Sequence, residues 1–245
     1  MLIERDDVEI ATRDGILTAF HAAPSASGGH PAVILYMDAP GIREELRDFA
    51  RRIAGEGYFC LLPDLYYRFG RIRLEGRRDD EAVATFRAAR RRLDNAMVAA
   101  DTESMLDFLD AHPAVRPGGR GCIGFCQSGR FITTIAGRFP ARMAACAAAY
   151  GTDIVTDQPD SPHLLVRNIQ AEMYYGFAEH DHLVPPNVVP TLRAELETHG
   201  VPHQIEIYPG THHGFCFPQR EDVYDHTAAE RYWSRLFDLF RRRLR

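Results

Sequence analysis

The chain has 245 residues, 45% of them hydrophobic and 26% charged, with a net charge of −5 and a pI near 6.1. That is ample for the core of one large α/β domain or two small ones, and it offers no basic surface to nucleic acid or an anionic membrane. All 29 basic residues are arginine, which excludes a Schiff-base, pyridoxal-phosphate or P-loop lysine.

Residues 8–20 read as a hairpin, with strands at 8–11 and 16–20 and a turn at Asp14-Gly15. After a Gly/Ser loop, residues 31–37 form a continuous apolar run of the kind found in central parallel strands. It ends in Asp38-Ala39-Pro40-Gly41. Residues 44–56 carry Leu46, Phe49, Ala50 and Ile53 at helical spacing, and Gly55 and Gly57 stop that helix. The next buried strand is 58–62, closed by Pro63-Asp64-Leu65-Tyr66-Tyr67-Arg68. Residues 69–80, rich in Arg and Gly, read as an exposed loop, and helices are expected over 80–92 and 95–111. A turn at 116–120 leads into a short apolar strand ending near Ile123. Beyond it come a helix from Gly129, a small-residue strand at 143–150 and a polar loop without period at 151–170. Strand 171–176, helix 188–199, strand 204–208 and an amphipathic helix over 226–244 complete the chain. The last helix has Tyr232, Trp233, Leu236, Phe237 and Phe240 on one face. Strand and helix alternate throughout, without internal repeat or linker. The expected architecture is one α/β domain over residues 1–245, a doubly wound, mostly parallel sheet with helices on both faces.

The stretch around which the rest is organised is Gly124-Phe125-Cys126-Gln127-Ser128-Gly129. A strand ends here, a helix begins, and Cys126 stands at the apex of the turn between glycines. This is the pattern of a nucleophile elbow, and the positive end of a helix favours thiolate over thiol in general. A small buried cysteine in a tight turn has the same local pattern, so the downstream residues decide. In a doubly wound sheet the chemistry lies at the C-terminal ends of the strands. The strand ends carry Asp38-Ala39, Cys126, Asp181 and His213, the last three in the chain order nucleophile, acid, histidine. A thiol needs a base to manage its proton, and that histidine needs a carboxylate on its other nitrogen to fix tautomer and orientation.

With these residues in place, the chain resembles the dienelactone hydrolase family of α/β-hydrolases. The matching segments are Asp38-Ala39-Pro40-Gly41, Gly57-Tyr58 with Pro63-Asp64-Leu65-Tyr66, the Cys126 elbow, Gly176 with Asp181-His182-Leu183-Val184-Pro185, and Tyr208 with His213-Gly214-Phe215. They span roughly residues 30–240. The resemblance implies an α/β-hydrolase fold and a carboxylic ester or lactone hydrolase. It implies Cys126 as nucleophile, His213 as base and then acid, Asp181 as its orienter, and the backbone N–H groups of Gln127 and Ala39 as the oxyanion hole. The family's glutamate near the thiol corresponds to Asp38, one methylene shorter, as a thiol-modulating group. A family arginine that binds a substrate carboxylate corresponds to Phe217. An apolar ring cannot pair a carboxylate, so a less charged or aromatic ester or lactone is expected. Ser128 stands where the family has glycine.

Each candidate has a plainer reading. Ser128 as nucleophile would put Cys126 and Arg130 where a serine elbow needs glycine. Asp38 fits a helix cap or a partner for Arg43 as well as a group beside the thiol. Tyr66-Tyr67-Arg68 fits a surface aromatic pair as well as a pocket wall, and Tyr67 is kept as a substrate-contact candidate. His212 is a rival to His213, but the family pattern of histidine, small residue and phenylalanine selects His213. Adjacent histidines at 180–182 and 212–213 lack a metal-binding spacing, so no metal and no cofactor is expected.

The five cysteines, Cys60, Cys122, Cys126, Cys146 and Cys216, are odd in number, and three lie in strand-like runs. Reduced thiols in the cytoplasm are expected rather than a disulfide framework. No signal peptide or bilayer-spanning run is read. The expected partner is a small-molecule ester or lactone, with no nucleic acid and no membrane; monomer and homo-oligomer both stay open. The alternative is a non-catalytic ligand-binding or thiol redox-sensing relative that keeps the elbow cysteine.

Overall fold

A computed structural model describes residues 1–70, 72 and 80–244. It divides into two compact units, Met1–Pro117 and Gly118–Arg245.

The first unit begins with an antiparallel hairpin, β1 (Leu2–Thr12) and β2 (Gly15–Pro24). Both strands are longer than the alternation in the sequence predicts, because β1 is an exposed edge of mixed charge without an apolar stripe. Its acids are instead tied to the helix α1 (Glu44–Gly55), through Arg47 to Asp6 at 2.9 Å and Arg51 to Glu4 at 3.0 Å. β2 pairs antiparallel with β4 (Phe59–Pro63), which pairs parallel with β3 (Ala32–Tyr36). Every residue of β3 and β4 is buried, as their unbroken apolar runs require. Neighbouring residues of β2 face opposite ways: Phe20 lies under Arg47 and Arg51 of α1, and His21 lies against His112. His112 caps the C-terminus of α3 (Asn95–Ala111), whose N-terminus is capped by the Asp94 carboxylate accepting from Met97 N–H at 2.7 Å. The helix α2 (Asp80–Arg92) precedes it. Of the loop expected at 69–80, Phe69 closes a 3-10 turn, Tyr67–Phe69, and Ile72 is buried. Residues 71 and 73–79 lie outside the described residues.

The second unit holds β5 (Arg120–Phe125), β6 (Met143–Ala149), β7 (Glu172–His180) and β8 (His203–His212). They are adjacent in that order and parallel throughout. β5 alternates between the two faces. Gly124 looks onto Ile132 of α4 (Ser128–Arg138), and Phe125 onto Trp233 of α6 (His226–Arg243). Helices therefore cover both faces, and both α4 and α6 pack on β6. The alanines of β6 let the two helices approach it closely. The five aromatic and aliphatic residues expected on one face of α6 are all buried. The segment 151–170 departs from the expected loop: Pro162–Asn168 forms a 3-10 helix started by its proline. It packs on α4, where a Cβ on Gly137 would come within 2.7 Å of Leu165. The helix α5 (Val188–Thr198) links β7 to β8. These elements are those of the α/β-hydrolase fold.

Candidate active site

The elbow is built by steric exclusion. Cys126 has φ +54°, a left-handed conformation that a non-glycine residue adopts only under constraint. The constraint is the backbone. Cys126 N–H donates to Ala149 O at 3.1 Å, and its carbonyl accepts from Gly129 N–H and Thr152 N–H, both at 3.0 Å. Two glycines make room for the turn. A Cβ on Gly124 would lie 2.7 Å from Ser128 Cβ, and one on Gly129 would lie 2.2 Å from Gly151 Cα. The first contact shows how Ser128 is accommodated beside the strand. Its side chain uses the space that Gly124 leaves, and the residue is fully buried in α4. Ser128 is thus packed against the strand, while Cys126 stands at the apex, 8% exposed. Gln127, 1% exposed, follows it at the N-cap position of α4.

Asp181 follows β7 and His213 follows β8, so the parallel pairing of the two strands brings them to one end. Asp181 Oδ1 accepts from Leu183 N–H at 3.0 Å, and Oδ2 lies 2.7 Å from His213 Nδ1. Both side chains are nearly excluded from water, 3% and 9% exposed. Burial works against a charged imidazole. The hydrogen bond that His213 donates to Asp181 and the interaction with Cys126 outweigh it and raise the His213 pKa from 6.5 to about 9. His213 Nε2 is buried and makes no completed hydrogen bond. Cys126 lies close enough to the ring to contribute to that shift.

Tyr150 completes this side of the site and was not singled out in the sequence. It is fully buried at the end of β6 with φ +37°, its N–H on Gly176 O at 2.6 Å. Its ring meets the His213 ring edge-on, centroids 4.9 Å apart. The only sequence signal is a lone aromatic closing the run Ala147-Ala148-Ala149. Phe217 lies in the same aromatic cluster, 5.2 Å from Phe125 and 6.4 Å from Tyr150. It is completely buried, and the Arg220 guanidinium lies over its ring at 4.6 Å.

The remaining expected site residues belong to the first unit. Asp38 is fully buried, and both carboxylate oxygens accept from Arg43, at 2.5 and 3.2 Å. The pairing with Arg43 offered by the sequence is thus present. Burial opposes the charge on Arg43, but Asp38 and then Glu45 raise its pKa overall. The Ala39 carbonyl accepts from Tyr66 Oη–H at 2.8 Å. Tyr67 sits in a hydrogen-bonded network. Its hydroxyl bonds Asp101 at 2.8 Å and Thr12 at 2.6 Å, and Arg68 grips the same Asp101 through two bonds of 2.6 Å. Burial foremost pushes the Tyr67 phenol up to about 12. The histidines at 180, 182 and 212 are exposed. Among the described residues no group of three or more His, Cys, Asp or Glu side chains is placed to hold a metal ion. No helix among them is long and apolar enough to cross a membrane.

Comparison with known proteins bears on the same residues. Residues 17–244 match the model of the dienelactone hydrolase family. A Synechocystis protein named "Putative carboxymethylenebutenolidase" is 29% identical over 241 residues, covering 97% of this chain and 96% of its own. One of the same name from Escherichia coli K12 is 30% identical over 235 residues, covering 92% and 82%. The crystal structure of a Klebsiella pneumoniae protein described as a "Putative Dienelactone Hydrolase" superposes with a TM-score of 0.87 at 26% identity, covering 98% of this chain and 99% of that one.

Proposed function

Because the chain belongs to the dienelactone hydrolase family and is a hydrolase of that family, we propose that it cleaves a small carboxylic ester or lactone through a covalent thioester on Cys126. The observation that carries this reading is the constrained elbow at Cys126 beside a His213 whose Nδ1 is fixed by Asp181.

In the proposed cycle the Cys126 proton passes to His213 Nε2 and sulfur attacks the carbonyl carbon. The tetrahedral oxyanion is received by the Gln127 N–H and, on the family's pattern, the Ala39 N–H. Each such donor is worth roughly 3 kcal/mol. The C–O bond breaks, and the alcohol leaves with the proton from His213. Formation of the thioester removes the Cys126 interactions that hold the His213 pKa up. The imidazole is then a more available base for the water that attacks the thioester. Sulfur leaves, the acid is released and the pair is restored. Asp181 holds the ring throughout. We further propose that residues 1–245 form a single α/β-hydrolase domain, a reading supported by the family match over residues 17–244. The five free cysteines fit a reducing, cytoplasmic setting.

For the substrate, Phe217 supports an uncharged or aromatic acyl group, since it offers no charge. A second reading, a carboxylate-bearing lactone, is favoured by one observation, the Arg220 guanidinium over the Phe217 ring. Hydrolysis of activated neutral esters, aromatic esters and a dienelactone by the wild type and by Cys126→Ala tests both points. Turnover that Cys126→Ala abolishes supports the thioester reading. Equal activity of the two proteins overturns it, and a strong preference for the carboxylate-bearing member replaces the first substrate reading with the second.

A further inference from the structure

The loop after β3 is restrained at three points around a single peptide. In the turn Asp38-Ala39-Pro40-Gly41, the Asp38 carbonyl accepts from Gly41 N–H at 3.1 Å, with Gly41 at φ +85°. A trans peptide points its N–H opposite its carbonyl, so this bond sets the direction of the Ala39 N–H. Before that peptide, the Asp38 side chain is gripped by Arg43, which is itself held by Glu45 at 2.9 and 3.1 Å. After it, the Ala39 carbonyl is held by the Tyr66 hydroxyl at 2.8 Å. Tyr66 is completely buried, and its own N–H is fixed by the Asp64 carboxylate at 3.1 Å.

We propose that Tyr66 is a positioning residue for the reaction: its buried phenol, with Arg43 on the other side, fixes the Ala39 amide in the orientation that receives the oxyanion. This rests on the assignment of Ala39 N–H as an oxyanion donor. Oxyanion stabilisation depends on donors already aimed where charge develops, and small misplacements of catalytic groups lower rates steeply. Tyr66 touches no reacting atom in this scheme; it acts through Ala39. The pairing also gives Asp38 a role as an anchor of the loop.

The test separates acyl transfer, which forms an oxyanion, from alkylation, which does not. Tyr66→Phe keeps the ring and removes only the hydroxyl. With 4-nitrophenyl acetate, kcat is expected to fall roughly tenfold or more, with KM within about twofold, at a temperature well below the measured melting point. The rate at which iodoacetamide alkylates Cys126 at the same pH stays at the wild-type value. Arg43→Lys, which keeps the charge but loses the two-pronged grip, shows the same split and serves if Tyr66→Phe does not fold. A wild-type kcat in both variants overturns the proposal. So does an equal loss of hydrolysis and alkylation, which a merely structural role would give. Full turnover in Cys126→Ala would instead overturn the underlying catalytic reading.

Discussion

Asp181 presents its two oxygens to two different donors: Oδ1 to Leu183 N–H at 3.0 Å and Oδ2 to His213 Nδ1 at 2.7 Å. The backbone bond makes the carboxylate a fixed support, and it also decides what a neutral substitute would do. In Asp181→Asn the Leu183 N–H keeps the amide oxygen, so the amide NH2 faces His213. Nδ1 must then accept, the ring proton moves to Nε2, and the nitrogen needed by the thiol is blocked. Activity is expected to fall about 10²- to 10⁴-fold, with a melting temperature close to wild type. Retention of more than a tenth of kcat would remove Asp181 from the triad.

The raised His213 pKa predicts different pH profiles for the free enzyme and the thioester. In the free enzyme kcat/KM falls on the alkaline side through about pH 9, as His213 loses the proton it gives to the leaving group. Where thioester hydrolysis limits kcat, the base must be neutral and the Cys126 interactions are gone. The acid limb of kcat then lies below pH 9. Rate measurements from pH 5 to 10 decide this, and coincident limbs for the two parameters contradict the linkage between Cys126 and His213.

His21 carries the opposite sign. It is buried in the first unit, stacked on Phe59 at 4.7 Å, with Nδ1 unpartnered. Burial first, then His112 and Arg5, depress its pKa to about 4. The folded state holds a neutral ring, so its stability is intact above pH 6.5 and falls as pH drops from 6.5 towards 4. The loss amounts to at most about 3 kcal/mol. Denaturant titrations of wild type and His21→Gln at pH 7.5 and 4.5 measure it. The mutant should lose less stability between those two values, and an identical loss would show that His21 does not titrate in this range.

Two glycines give a paired steric prediction. Gly129→Ala would place Cβ 2.2 Å from Gly151 Cα, backbone against backbone, with no flexible atom to give way. A loss of roughly 3 kcal/mol or failure to fold is expected. At Gly55, exposed in α1 with nothing within 4 Å of a new Cβ, alanine should stabilise by up to about 1 kcal/mol. Thermal melts of the pair report both signs, and a Gly129→Ala protein as stable as wild type would contradict the packing at the elbow.

The fold was legible because its signals are local. The buried runs of β3 to β5 and the helical stripe of α6 announce their own surroundings. The pairing of Asp181 with His213 was within reach of the sequence because the order Cys126, Asp181, His213 and their strand-end positions survive in one dimension. Contacts that depend on where distant segments meet were not. Tyr67 bonds Asp101, 34 residues away, in a network with Arg68 and Thr12 that no local pattern announces. The two-pronged contact of Asp38 with Arg43 depends on how the loop after β3 folds back, which the sequence alone does not fix. Tyr150 carries no chemical motif and is found at His213 only because β6 ends there.

The central claim is a thioester on Cys126, and the most direct measurement is the mass of the trapped intermediate. Wild-type protein is mixed with an activated acyl ester, quenched in acid within the first turnover, digested and sequenced by mass spectrometry. The acyl mass is expected on the peptide containing Cys126, placed on its sulfur and absent in Cys126→Ala. An acyl group on Ser128, or undiminished turnover by Cys126→Ala, would contradict it.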